Sequence, residues 1–210
     1  MAIIVQKFGS SSVANAEQIR RAAKRIIDRK QAGYQVCVVA AARDQQIGEL
    51  LRDARELNPN PPTREMAQLL STGEQQTMSL LAMALDAMGQ KAISFTSTQI
   101  RMLTDGVFNN AQIKSVDSEF IRRELNEDKI VIVAGYQGVD ERGNVTSLGR
   151  GGADTSAVAL AAALKAEECE IFADVDGVYT ADPQVFKKAA LLDEISFDEM
   201  IEMASLGAGM

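Results

Sequence analysis

The chain has 210 residues, 46% hydrophobic and 24% charged, ordinary values for a globular protein that buries a real core in one large domain or two small ones. It has no histidine, two cysteines and a formal net charge of -7. That excludes serine–histidine triads, histidine–zinc sites and disulfide frameworks, and argues against nucleic acid, which is bound by clustered Lys and Arg. No apolar run approaches the ~20 residues of a bilayer span, and the N-terminal MAIIVQKF lacks the regions of a signal peptide, so a cytoplasmic protein with no membrane partner is expected.

Short apolar runs rich in β-formers alternate with longer helical patterns, as in an α/β protein with a mainly parallel sheet. Ile3 to Phe8 reads as the first strand and Asn15 to Ala32 as a helix, with Ile19, Ala22, Ala23, Ile26 and Ile27 on one stripe. Gln35 to Ala41 is a second strand, without the polar alternation of a half-exposed one. Ile47 to Leu57 looks helical and stops at the proline cluster NPNPP. Thr63 is placed to cap a helix that breaks near Gly73 and resumes from Glu74 to Met88. Ala92 to Phe95 and Ile130 to Ala134 read as strands around a Ser115 to Leu125 helix. Tyr136 to Leu148 carries the turn Glu141-Arg142-Gly143-Asn144 and reads as a surface hairpin. Ala153 to Lys165 is an alanine-rich helix, Glu170 to Ala173 a strand, and Phe197 to Ala204 a last helix. Cys37 and Cys169 each lie in or beside an apolar run and read as buried small hydrophobes.

Ligands of an open parallel sheet sit at the carboxyl ends of its strands, and three predicted strand ends lead into polar, glycine-containing loops. In Lys7-Phe8-Gly9-Ser10-Ser11-Ser12, an ammonium and the backbone N–H groups of a helix start suit phosphate oxygens, although an ordinary turn with serine caps would read the same. The lysine precedes the glycine, so this is not a Walker A loop. In Gly149-Arg150-Gly151-Gly152-Ala153-Asp154, Arg150 offers a bidentate clamp for a carboxylate or phosphate, while Asp154 is either functional or a dipole-favoured residue of the first helical turn. The third loop, Asp174-Val175-Asp176-Gly177, lacks the spacing and terminal glutamate of a calcium loop, and an Asx turn is its structural alternative. Ser71-Thr72-Gly73-Glu74 adds a carboxylate at the expected helix break.

Taken in order, KFGSSSVAN, NPNPPTRE, LLSTGEQ, LTDGVFNNA, GRGGADTSA and DVDGVYTADP resemble the motifs of the aspartate kinases in the amino acid kinase family. The resemblance covers essentially the whole chain. It implies a three-layer αβα sandwich with a mainly parallel central sheet, here a C-terminally truncated kinase domain over residues 1–210 without the regulatory ACT domains. It also implies transfer of the γ-phosphate of ATP to the side-chain carboxylate of L-aspartate, the first step toward lysine, threonine and methionine, with Mg2+ brought by ATP and a homodimer as the assembly.

By the same resemblance, Lys7 would stabilise the moving phosphoryl group and Asp154 would orient Lys7 and the substrate. Glu74 would hold the amino group of aspartate and Arg150 its α-carboxylate, with Ala41 and Ala153 beside the substrate. Gly9 and Ser10 would approach the phosphates, and Ala173, Asp174, Tyr179, Asp182 and Gln184 would lie around the nucleotide. Transfer to a carboxylate needs no deprotonation, so a protein without histidine loses nothing by it.

The motifs also depart from the family. Ser10 stands for the second glycine of the first loop, Ala40-Ala41-Ala42-Arg43-Asp44-Gln45 for a serine and a threonine-rich turn, and Ser97 for a glycine. Ala153 stands for a hydroxyl residue, Ala173 for a threonine and Gln184 for an arginine. These substitutions fall at ligand-contacting positions of the resemblance and would suit a non-catalytic relative serving as a binding or scaffold module. The charged set Lys7, Glu74, Arg150 and Asp154 is intact and suits an enzyme.

Overall fold

The structure, a computed structural model, describes residues 1–183 and 185–205. The chain divides into two compact units, Met1–Phe172 and Ala173–Met210. The first unit runs β1 (Ile3–Phe8), a 3-10 turn (Ser10–Val13), α1 (Ala16–Gln31), β2 (Gln35–Ala40), α2 (Asp44–Leu57), α3 (Thr63–Asp86) and β3 (Ala92–Phe95). It continues through β4 (Leu103–Thr104), β5 (Ile113–Ser115), α4 (Ser118–Asn126), β6 (Ile130–Ala134), β7 (Gln137–Val139), β8 (Val145–Ser147), α5 (Gly152–Leu164) and β9 (Glu168–Phe172).

Among the described residues, five strands form an all-parallel sheet in the order β3-β6-β2-β1-β9. Alternate residues face opposite layers, as the two-residue period of a strand requires. Val5, Val39, Val131 and Val133 pack with Ile121 and Leu125 of α4 and Leu160 and Leu164 of α5. Ile4, Val38, Ile130 and Ile132 pack with Ile19 and Ile26 of α1 and Leu81 and Leu85 of α3. Helices cover both faces, which is why these strands read as continuous apolar runs, and each large side chain so buried contributes about 1.5–3 kcal/mol. This is the expected three-layer αβα sandwich.

Several local expectations are corrected. Helix α3 runs unbroken through Gly73, because the missing side chain serves packing: a Cβ there would lie 2.8 Å from Ala42 Cβ and 3.0 Å from Ile47 Cδ1. Pro62, rather than Thr63, occupies the cap position of α3, and Thr63 is its first helical residue. Helix α4 begins at Ser118, where Asp117 accepts a hydrogen bond from the Phe120 amide at 3.4 Å. Cys37 is buried, but Cys169 is exposed, since β9 is an edge of the sheet among the described residues.

The β7–β8 hairpin forms as expected, with Asp140 accepting from the Arg142 and Asn144 amides at the turn. Its first strand is buried rather than superficial, because β4, β5, β7 and β8 join in a second sheet of order β5-β4-β7-β8.

The second unit holds an isolated bridge between Tyr179 and Leu191 and the helix α6 (Phe197–Ser205), close to the expected span. Among the described residues, no helix is long and apolar enough to cross a membrane.

Candidate active site

Lys7 is the penultimate residue of β1 and belongs to the face covered by α5, the same face as Ile3 and Val5. Its side chain is 9% exposed, and its Nζ lies 2.8 Å from Oδ1 of Asp154 in the first turn of α5. The pair is an ion contact rather than an aligned hydrogen bond, for Oδ1 has no aligned donor and is shielded from water. A strand end and a helix start thus set a cation and its carboxylate at the carboxyl edge of the sheet, where the α5 N-terminus also favours anions.

Glu74 arrives from the other helical layer. The second half of α3 packs on the sheet through Met78, Leu81 and Leu85. Its first half extends past the strand ends, where Gly73 packs on Ala42 and Ser71 O accepts from Gln137 Nε2 at 3.1 Å. Glu74 is 4% exposed, its Oε2 is buried without a hydrogen-bond partner, and burial pushes its carboxyl up to about 8. Hydrogen bonds from its own backbone and that of Ala42 pull the other way and do not offset the loss of water. Such a carboxyl is neutral near pH 7 when alone and takes its charge when a cation comes against it.

The Gly149–Gly152 turn carries Arg150, whose side chain is exposed. Gly151 sits at φ +74, and a Cβ there would meet open space, so the backbone conformation is what calls for glycine. Ala153, half-buried in the first turn of α5, packs against the backbone of Gly135 just beyond β6. The Ala41 amide donates to Phe8 O at 3.1 Å, stitching the ends of β1 and β2 together. The Gly9 amide donates to Phe172 O at 2.9 Å, and Ser10 opens the 3-10 turn that follows.

The remaining nucleotide candidates lie in the second unit. Asp174 is exposed, Tyr179 donates from its hydroxyl to Asp176 Oδ2 at 3.4 Å, and Asp182 O accepts from the amides of Val185 and Phe186. Ala173 is the first residue of that unit, and Gln184 lies outside the described residues. Among the described residues, no group of three or more His, Cys, Asp and Glu gathers as a metal cage.

The sequence reading missed three residues that frame the strand ends. Tyr136 adopts φ +67 right after Gly135, and its amide donates to Ser156 Oγ at 3.1 Å while Ser156 donates to Gly152 O at 2.8 Å. Gln137 makes the bond to α3 described above. The sequence signals there are only the flanking glycines Gly135 and Gly138, since the positive φ of Tyr136 shows in the backbone alone. Ser97, a departure from the family, is absorbed: it is fully buried and donates to Ala134 O at 3.1 Å.

A lysine and a carboxylate meet at the end of a parallel sheet, with a second, buried carboxyl supplied by the opposite layer, at the edge where open α/β sheets receive ligands. The chain belongs to the amino acid kinase family, whose model matches residues 2–210. It is similar to an aspartokinase of Bacillus sp. strain MGA3, 53% identical over 100% of this chain and 51% of that one. A second relative, aspartokinase 2 of Bacillus subtilis, is 50% identical over 100% of this chain and 52% of its own length. The chain thus spans about half the length of the curated relatives it matches. Among solved structures, the aspartate kinase from Synechocystis superposes with a TM-score of 0.82 at 44% identity, covering 98% of this chain and 34% of that one. E. coli aspartokinase III in complex with aspartate and ADP superposes with a TM-score of 0.84 at 27% identity, over 97% of this chain and 56% of that one.

Proposed function

We propose that this chain transfers the γ-phosphate of ATP to the side-chain carboxylate of L-aspartate, giving 4-phospho-L-aspartate. The observation that carries this reading is the shielded Lys7–Asp154 pair at the end of β1. The acceptor is already an anion at neutral pH, so the catalytic task is to hold two anions together and neutralise the charge between them. Lys7 supplies that positive charge at the transferring phosphoryl group, and Asp154 fixes where its ammonium sits. Glu74 takes the amino group of aspartate and becomes charged as it does so, while Arg150 closes on the α-carboxylate. Ala41 and Ala153 flank the amino acid; Gly9, Ser10, Ala173, Asp174, Tyr179, Asp182 and Gln184 serve the nucleotide.

Mg2+ would come bound to the nucleotide in this reading and would supply neutralisation of phosphate charge. The charged pair at the end of β1 suits phosphate oxygens: the Lys7 ammonium stands beside the carboxylate of Asp154. The product is an activated acyl phosphate, the form in which a carboxylate is prepared for reduction on the way to lysine, threonine and methionine. A homodimer is part of the same reading, and sedimentation at micromolar concentration tests it, a monomer contradicting it.

A bare scaffold fits the geometry poorly, because burying an unpartnered carboxyl is unfavourable and a scaffold has no use for it. ADP release with L-aspartate, L-glutamate and uridylate as rival acceptors tests the substrate. Release stimulated by L-aspartate above the others is expected, and a preference for uridylate would overturn the assignment.

A further inference from the structure

Arg43 has no part in the roles above. It follows Ala42, directly precedes α2 and is half-buried three residues beyond the central strand β2. Its Nε is shielded from water and has no hydrogen-bond partner, and its Nη2 reaches Gln46 Oε1 and Gln76 Oε1 only at 3.5 and 3.4 Å. A guanidinium carries five donors in a planar fork shaped for a carboxylate, so this one is poorly used within the chain.

The neighbouring segment has the complementary deficiency. Ala42 packs its Cβ against Gly73, the residue before Glu74, and Glu74 Oε2 is a buried acceptor without a partner. Arg43 and Glu74 place a cation and a carboxyl on adjoining segments, yet these two atoms do not satisfy one another. That arrangement suits a ligand bearing both charges on one carbon: an α-amino acid with its ammonium toward Glu74 and its carboxylate toward Arg43.

We propose that Arg43 is a specificity-determining residue that binds the α-carboxylate of the amino-acid substrate together with Arg150. The proposal rests on the kinase reading above. The planar charged fork of Arg43 selects acceptors that have a carboxylate beside their amino group.

Calorimetric titration with L-aspartate tests this on the unmodified protein and on Arg43→Gln, Arg43→Lys and Gln76→Ala. Arg43→Gln is expected to weaken aspartate by roughly tenfold or more while ATP affinity stays within about twofold. Arg43→Lys, which keeps the charge but loses the fork, should fall between the two. Gln76→Ala removes only the long contact to Nη2 and should leave aspartate affinity unchanged, which separates binding from support of α3. Aspartate affinity in Arg43→Gln within about twofold of the unmodified protein overturns the proposal and leaves the kinase reading standing. Absence of aspartate binding and of turnover in the unmodified protein overturns both. Should Arg43→Gln not fold, Arg43→Lys carries the test, a loss of roughly threefold or more supporting the assignment and an unchanged affinity overturning it.

Discussion

Lys7 Nζ and Asp154 Oδ1 meet at 2.8 Å, joining the end of β1 to the first turn of α5. Asp154→Asn keeps the shape and removes the charge that holds the ammonium. It is expected to slow phosphoryl transfer by about 100-fold, the usual loss when one preorganised electrostatic contact goes. The side chain of Asp154 is 39% exposed, so the effect on folding should be only on the order of 1 kcal/mol. Single-turnover kinetics and urea unfolding of the same variant separate the two effects.

Glu74 gives stability a definite pH dependence. Its carboxyl lies at about 8 when folded, against 4.5 for the exposed group, so between those values the native state holds a proton that the unfolded chain has released. Stability therefore falls as pH rises from about 4.5 to 8 and levels off above, by a few kcal/mol in order of magnitude. Glu74→Gln is expected to flatten that slope and to be the more stable protein at pH 8, while losing aspartate affinity. Thermal melts of both proteins across this range check it; parallel profiles would contradict it.

Gly151 and Gly152 are glycines for different reasons. Alanine at Gly151 meets no atom within 4 Å and suffers only from φ +74, so Gly151→Ala is expected to cost about 1–2 kcal/mol. Alanine at Gly152 would bring a Cβ to 2.9 Å from Leu148 Cβ and 3.2 Å from Tyr136 Cα, and should cost more, up to about 3 kcal/mol. Chemical denaturation ranks them.

Ala153 stands where the resembling motif has a hydroxyl, in the same helical turn as Asp154. A hydrogen bond to a charged group contributes about 1.5–3 kcal/mol, so Ala153→Ser is expected to lower the KM for aspartate by roughly tenfold. Saturation kinetics with aspartate at fixed ATP measure it, and an unchanged KM would show that the lost hydroxyl does not face the substrate.

The central strands were legible because both faces of Val36–Ala40 and Ile130–Ala134 are buried, which leaves nothing polar in the run. Gly73 misled for the opposite reason: taken locally it weakens a helix, and only Ala42 and Ile47, brought from a separate segment, make it a packing position. Strands β4 and β5 are two and three residues long, too short for a period to show. The charged residues of the site could be picked out by type, and β1 and α5 then bring Lys7 to Asp154 from distant parts of the chain. The raised carboxyl of Glu74 could not be foreseen, because it comes from burial under packing that no stretch of sequence contains. Arg43 and Tyr136 were hidden in the same way, one by an unused donor and the other by a backbone angle.

Trapping the acyl phosphate with hydroxylamine is the most direct measurement of carboxylate phosphorylation. The protein with MgATP and L-aspartate is expected to yield aspartyl hydroxamate, and Lys7→Met, which removes the ammonium but keeps an apolar stem in the sheet, to yield roughly 100-fold less. No hydroxamate from the unmodified protein, or an undiminished yield from Lys7→Met, would contradict the role given to the end of β1.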